Sequence, residues 1–228
     1  MVPENEIMSV RIRFSKTGDL MYISHLDLAR TMQRIMVRSG VDIWYSEGFN
    51  PQPRIVFALP LPVGVESKCE LMDIKINHPM GFDEIKERIQ KNFPLDMKVL
   101  DVYAPQVKFK AISYADYTVK LYSPKLEADT HEKINELFSH ECIVTKRSKS
   151  GEKEVDICTF IKSINAKSEN GFVEINAVVC AGNENNLNPE LIVDAIRKYL
   201  CIMDSETTDE YTEIMRNRML DADLNEFI

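Results

Sequence analysis

The sequence has few cysteines, and they stand far apart. Only five occur in 228 residues, at Cys69, Cys142, Cys158, Cys180 and Cys201, and even the closest pair, Cys142 and Cys158, is well separated. No CxxC knuckle, zinc ribbon or local iron–sulfur cradle can be drawn from that spacing. The four histidines, His25, His78, His131 and His140, are equally scattered, so no metal site is expected. The thiols read as reduced, buried side chains behaving as small hydrophobes. There is no Walker loop, GxGxxG, GxSxG or HExxH, which weighs against nucleotide hydrolysis, dinucleotide binding, serine hydrolysis and metalloprotease chemistry. No apolar run approaches the roughly 20 residues of a membrane helix. Residues Met1 to Glu6 lack the basic, hydrophobic pattern of a signal peptide, so a cytoplasmic protein without membrane contact is expected.

The charge is unevenly distributed. Twenty-eight basic and 36 acidic side chains give a net charge of −8. From Asn183 to Ile228 there are 11 acidic and 4 basic residues, a net of −7, so the chain before Asn183 is close to neutral at −1. A phosphate backbone senses local potential rather than the molecular sum, so the acidic total argues only weakly against nucleic-acid binding by the front of the chain.

Periodicity suggests an α+β organisation. Met8 to Phe14 alternates as a half-buried strand, and Thr17-Gly18-Asp19 turns the chain. Ser24 with Asp27 makes a box-like helix start, Leu28, Met32, Ile35 and Met36 form an apolar stripe, and Ser39-Gly40 is a stop. A second strand is expected over Val41–Tyr45. Residues 46–67 carry Pro51, Pro53, Pro60, Pro62, Gly48 and Gly64, and are expected to be an insert holding one short strand, 54–59. A strand over 69–77, a helix over 82–92 and a strand over 97–103 follow. Without the insert this is the split βαβ order of a ferredoxin-like domain, an antiparallel sheet with helices on one face. Residues 107–228 repeat the order: strand 114–122, helix 126–138, a hairpin around 148–151, strands 161–166 and 172–180, helix 189–200 and strand 211–215. Two ferredoxin-like domains in tandem are expected, 1–106 with the Pro-rich insert and 107–228 with an acidic tail.

Candidate functional residues gather in the first domain. His25 falls at the first helical position, where free amides and the helix dipole favour anions and a neutral imidazole. Arg30, Arg34 and Arg38 recur every four residues opposite the apolar stripe, with Asp27 as the acidic member of the row, an arrangement that calls for an anion or acidic partner. Arg11 and Arg13 on the first strand could lengthen that positive strip. In the insert, Asn50 can read base edges, Arg54 can hold a phosphate, and Trp44, Tyr45 and Phe49 can stack on bases. Each has a plainer reading: a histidine packed beside a cap, a solvated polar helix face, an edge-covering loop. The patch Lys146, Arg147, Lys149 and Lys153 reads as hairpin-tip solubility.

The blocks Arg11-Ile12-Arg13-Phe14, Gly18-Asp19-Leu20, Ser24-His25-Leu26-Asp27-Leu28, Ser46 to Pro53 and Phe57 to Ser67 resemble the radical SAM-linked proteins of bacteria, a domain family of unknown function. The resemblance implies a domain standing beside, or fused to, a radical SAM enzyme. It implies that the iron–sulfur cluster and S-adenosylmethionine belong to a partner and that this chain holds no cofactor. With the residue reading, the leading expectation is a non-catalytic module that binds tRNA or rRNA, or presents it, for modification or processing by the radical SAM partner. Arg13, His25, Arg30, Arg34, Asn50 and Arg54 would contact the nucleic acid. One alternative is a metal-independent endoribonuclease using His25. A ferredoxin-like domain with such a histidine is similar at fold level to the endoribonucleases that process CRISPR repeats, although their glycine-rich loop has no clear counterpart here. A second alternative is a protein-interaction adaptor docking through the acidic tail.

Overall fold

A computed structural model describes residues 7–148, 151–182, 185–203 and 209–228. Lys149 of the hairpin patch and residues 204–208 of the acidic tail lie outside the described residues. The chain divides into two compact units, Met1–Phe109 and Lys110–Ile228. Its class is mixed α+β, with antiparallel sheets and four α-helices among the described residues.

The first unit runs β1 (Met8–Lys16), α1 (His25–Ser39), β2 (Ile55–Phe57), β3 (Val65–Ile76), α2 (Phe82–Gln90) and β4 (Met97–Tyr103). Its strands lie in the order β4-β1-β3-β2, every neighbour antiparallel. Alternation decides which side chains meet the helices. Val10, Ile12 and Phe14 of β1 join Met72, Ile74 and Ile76 of β3 in one core with Leu28, Met32, Ile35 and Met36 of α1 and Ile85 and Ile89 of α2. Both helices therefore cover one face of this sheet. Ser24 caps α1 as its spacing predicts: its Oγ accepts the Asp27 amide at 3.2 Å and donates to the Asp27 carboxylate at 2.7 Å. Gly40 ends the helix in the left-handed conformation, φ 68°, which costs a glycine least.

Two local expectations for this unit are corrected. Val41–Tyr45 is not a strand; it makes only the single bridges Ile43 to Ile76 and Tyr45 to Pro53. Its place in the sheet is taken by the short strand expected within 54–59 of the proline-rich insert, where Ile55 and Phe57 pair with Ile74 and Met72 and turn partly buried side chains to the core. Nor is β1 half-buried. Arg11, on the face away from the helices, is wholly buried, because Asp73 holds its guanidinium at 2.8 and 3.0 Å, the Val107 carbonyl accepts at 2.8 Å and the Phe109 ring covers it at 4.3 Å. A period-two pattern carries no information on partners this distant in sequence.

The second unit runs β5 (Tyr114–Tyr122), α3 (Thr130–Leu137), the hairpin β6 (Ile143–Ser148) and β7 (Gly151–Asp156), β8 (Ile161–Glu169), β9 (Phe172–Cys180), α4 (Glu190–Leu200) and β10 (Tyr211–Leu220). The hairpin forms its own two-stranded sheet, and the other strands lie in the order β10-β5-β9-β8, again antiparallel throughout. Counting only these four strands and two helices, the element order and strand order of the first unit recur. Strand β8 is guarded at Ala166: the Asn135 side chain of α3 donates to the Ala166 carbonyl at 3.0 Å and accepts its amide at 2.8 Å, occupying positions a foreign strand would need.

The thiols are all free, but only Cys69 and Cys142 are fully buried, and Cys201 is exposed. The expectation of uniformly buried cysteines fails at Cys201, which closes α4 in the left-handed conformation, φ 56°. No helix of the described residues is long and apolar enough to cross a membrane.

Candidate functional site

Helix α1 presents its charged side to solvent because its apolar side is taken by the core. Arg30, Arg34 and Arg38 all lie on that side and are all exposed. Arg30 meets Asp27 at 3.3 Å, with both side chains 58% exposed, a pair too wet to neutralise the row. Arg38 donates through Nε to the Arg34 carbonyl at 3.4 Å, which draws its guanidinium back along the helix. Among the described residues, no carboxylate pairs with Arg34 or Arg38.

After α1 the chain doubles back as a tight loop. The Ser46 amide donates to the Gln52 carbonyl at 2.9 Å, the Gln52 amide donates to Ser46 Oγ at 3.0 Å, and Tyr45 bridges Pro53. Gly48, at φ 125°, makes the turn, and Phe49 stands fully exposed beside it. Between this loop and the last two turns of α1 lies an open groove of about 600 Å³, lined by Gln33, Arg34, Val37, Arg38, Tyr45 and Pro53. Its wall is apolar at Val37, Tyr45 and Pro53 and cationic at the two arginines.

The predicted site residues do not form one cluster. Of the six, only Arg34 lines the groove. His25 is at the start of α1, its ring packed edge-on against Phe57 with centroids 5.2 Å apart, and no hydrogen-bond partner is found for its ring among the described residues. Asn50 and Arg54 lie on the loop and just after it; Arg54 contributes its amide to the Trp44 carbonyl at 3.0 Å. Arg13 cannot lengthen the helix row. It alternates with Ile12 and Phe14, so it points to the sheet face away from α1, half-buried opposite Asp101 of β4. Its charge and that of Arg11 partly offset the burial that raises the Tyr103 hydroxyl above the usual tyrosine range. Trp44 is half-buried with the Lys75 ammonium 5.7 Å from its ring centre.

Gln33 and Val37 were missed by sequence reasoning. Val37 carried a signal: a β-branched apolar residue that falls outside the stripe of Leu28, Met32, Ile35 and Met36, and that is 64% exposed. At the base of the same loop Asp42 is held by Asn77 at 2.9 Å and His78 at 2.8 Å, and these hydrogen bonds lower its pKa below the ordinary aspartate value. No group of three or more His, Cys, Asp or Glu side chains among the described residues is placed to hold a metal ion.

Comparison with known proteins gives a family. No curated protein matches the chain. Among solved structures, a crystal structure of a Cbf5-Nop10-Gar1 complex aligns at 12% identity and TM-score 0.46, over 92% of this chain and 48% of the other, so this chain spans about half its length. An unknown protein from Galdieria sulphuraria aligns at 9% identity and TM-score 0.26, over 92% and 99% of the two chains. Likenesses this weak carry no argument about fold or activity. The sequence match is of another order: it runs from residue 9 to residue 189, and the chain belongs to the family described as an uncharacterized protein conserved in bacteria, DUF2344.

Proposed function

We propose that this protein is a non-catalytic binding module that grips RNA through the arginine row of α1 and works beside a radical SAM enzyme on tRNA or rRNA. The observation that carries the reading is the row itself: Arg30, Arg34 and Arg38 on the solvent side of one helix, bordered by a groove and left without full neutralisation by nearby carboxylates. Guanidinium groups are planar, permanently charged forks that suit phosphate oxygens. The near-neutral chain before Asn183 favours a local anion site over a broadly basic coat.

The recurrence of β-α-β-β-α-β with strand order last-first-third-second supports reading both units as ferredoxin-like, helices on one side of each sheet. The radical SAM partner rests on the motif blocks between Arg11 and Ser67. The cluster and S-adenosylmethionine belong to that partner in this proposal. In this proposal His25 serves RNA contact, from the first position of the helix that carries the arginine row, its ring packed edge-on against Phe57.

A gel shift with total cellular RNA tests the reading. Binding that weakens steeply with salt, and that is lost in Arg30→Glu/Arg34→Glu, supports it. Undiminished binding by that variant, or no binding by the natural sequence, refutes it.

A further inference from the structure

Resting on that RNA-binding reading, we infer that the groove between α1 and the Tyr45–Pro53 loop takes an unpaired nucleotide of single-stranded RNA, its base against Tyr45 and its phosphates on Arg34 and Arg38. The groove is chemically two-sided in the way a nucleotide is. Tyr45, Pro53 and Val37 offer a flat apolar wall, with Tyr45 39% exposed. Arg34 and Arg38, one turn apart on α1, border it with two fixed positive charges. Gln33 adds an amide that can both donate to and accept from a base edge. An apolar wall alone would suit many ligands, and arginines alone would suit any anion. Their combination selects a planar apolar group carried on an anionic backbone.

The loop tip strengthens the choice of single strand over duplex. Phe49 projects fully exposed from the glycine turn, held by the Ser46–Gln52 hydrogen bonds at the loop's base. An exposed aromatic ring is costly to leave in water and well suited to stack on a second, splayed base. In a duplex both faces of every base are stacked and the wall of this groove would have nothing to take. Trp44, which the insert's aromatic content also brings forward, has Lys75 over its ring and is not needed for the contact.

The experiment uses the full chain and fluorescently labelled RNA: an unstructured oligomer of about 15 nucleotides, the same sequence as a duplex, and poly-glutamate as an acidic-peptide competitor. Anisotropy gives the affinities across a salt series. The expected result is preference for the single strand, a loss of about fivefold or more in Tyr45→Leu and in Phe49→Ala with the salt dependence unchanged, and a shallower salt dependence in Arg34→Gln. Unchanged melting of each variant establishes that the fold is retained. If Arg34→Gln weakens binding while Tyr45→Leu and Phe49→Ala do not, the nucleotide groove is overturned and the binding-module reading stands. Preference for the duplex, or displacement by poly-glutamate at equal charge concentration, also overturns it. No RNA binding by the natural sequence overturns both.

Discussion

Removing the Asp73 carboxylate should cost the first unit a large part of its stability. Arg11 is fully buried and Asp73 is 27% exposed, and the two are joined by hydrogen bonds of 2.8 and 3.0 Å. Breaking a buried pair by deleting one partner typically costs ~3–5 kcal/mol, because a desolvated charge is left behind. Here water reaches the aspartate side, and Arg11 keeps its bond to the Val107 carbonyl and its place against Phe109, so Asp73→Ala belongs at the lower end, about 3 kcal/mol. The chain has one tryptophan, Trp44, which lies in this unit. Its fluorescence in a urea titration therefore reports the affected transition, and with a slope of about 2 kcal/mol per molar the midpoint should fall by about 1.5 M. The paired change Arg11→Met/Asp73→Leu should restore most of the loss, since apolar groups of similar volume replace buried ion pairs at little cost. A fall of less than about 0.5 M in Asp73→Ala, or a double variant as unstable as the single one, would refute the argument.

Other consequences follow from single contacts. Ser24→Ala removes the cap on α1 and should destabilise the first unit by about 1 kcal/mol in the same titration, with Ser24→Gly costing less. Asn135→Leu strands the Ala166 amide and carbonyl at a partly buried strand, which should cost ~1–3 kcal/mol and raise light scattering on storage; unchanged stability would show that water serves Ala166 equally well. The Asp42 carboxyl titrates below its unfolded value, so its stabilising contribution is complete above the ordinary aspartate range and disappears as pH falls through the lowered value. The stability gap between the natural sequence and Asp42→Asn should accordingly be constant at neutral pH and close in acid; a gap that widens in acid would contradict this. Burial and the neighbouring Cys158 push the Cys142 thiol up to about 11, so a thiol reagent at mildly alkaline pH should label exposed Cys201 and reach Cys142 only on unfolding.

What the sequence made legible was local. Strands 97–103, 114–122 and 172–180 coincide with β4, β5 and β9, and the cap, stripe and stop of α1 are where Ser24, Leu28 to Met36 and Gly40 placed them. These features depend on neighbours within a turn or on period-two alternation, and both are written along the chain. The misplaced second strand shows the limit. Val41–Tyr45 and the strand expected within 54–59 both have strand composition, yet only Ile55–Phe57 forms a ladder with β3, a choice made by Met72, Asp73 and Ile74 further along the chain. The candidate site was legible to the same degree. The spacing of Arg30, Arg34 and Arg38 put them on one solvent-facing side, as found, because helical periodicity fixes it. That Arg13 faces away from α1 was written in its alternation with Ile12 and Phe14, whereas that Arg11 is consumed by Asp73 and that Tyr45 comes beside Gln33 and Arg34 depend on tertiary neighbours.

The most direct test of the central claim is the salt dependence of RNA binding by the natural sequence and by Arg34→Gln/Arg38→Gln. If both arginines hold phosphates of a single strand, the slope of log affinity against log salt should become shallower by about 1.4, roughly 0.7 for each phosphate released. Parallel lines with equal affinity would contradict the assignment of α1 as the RNA-gripping surface.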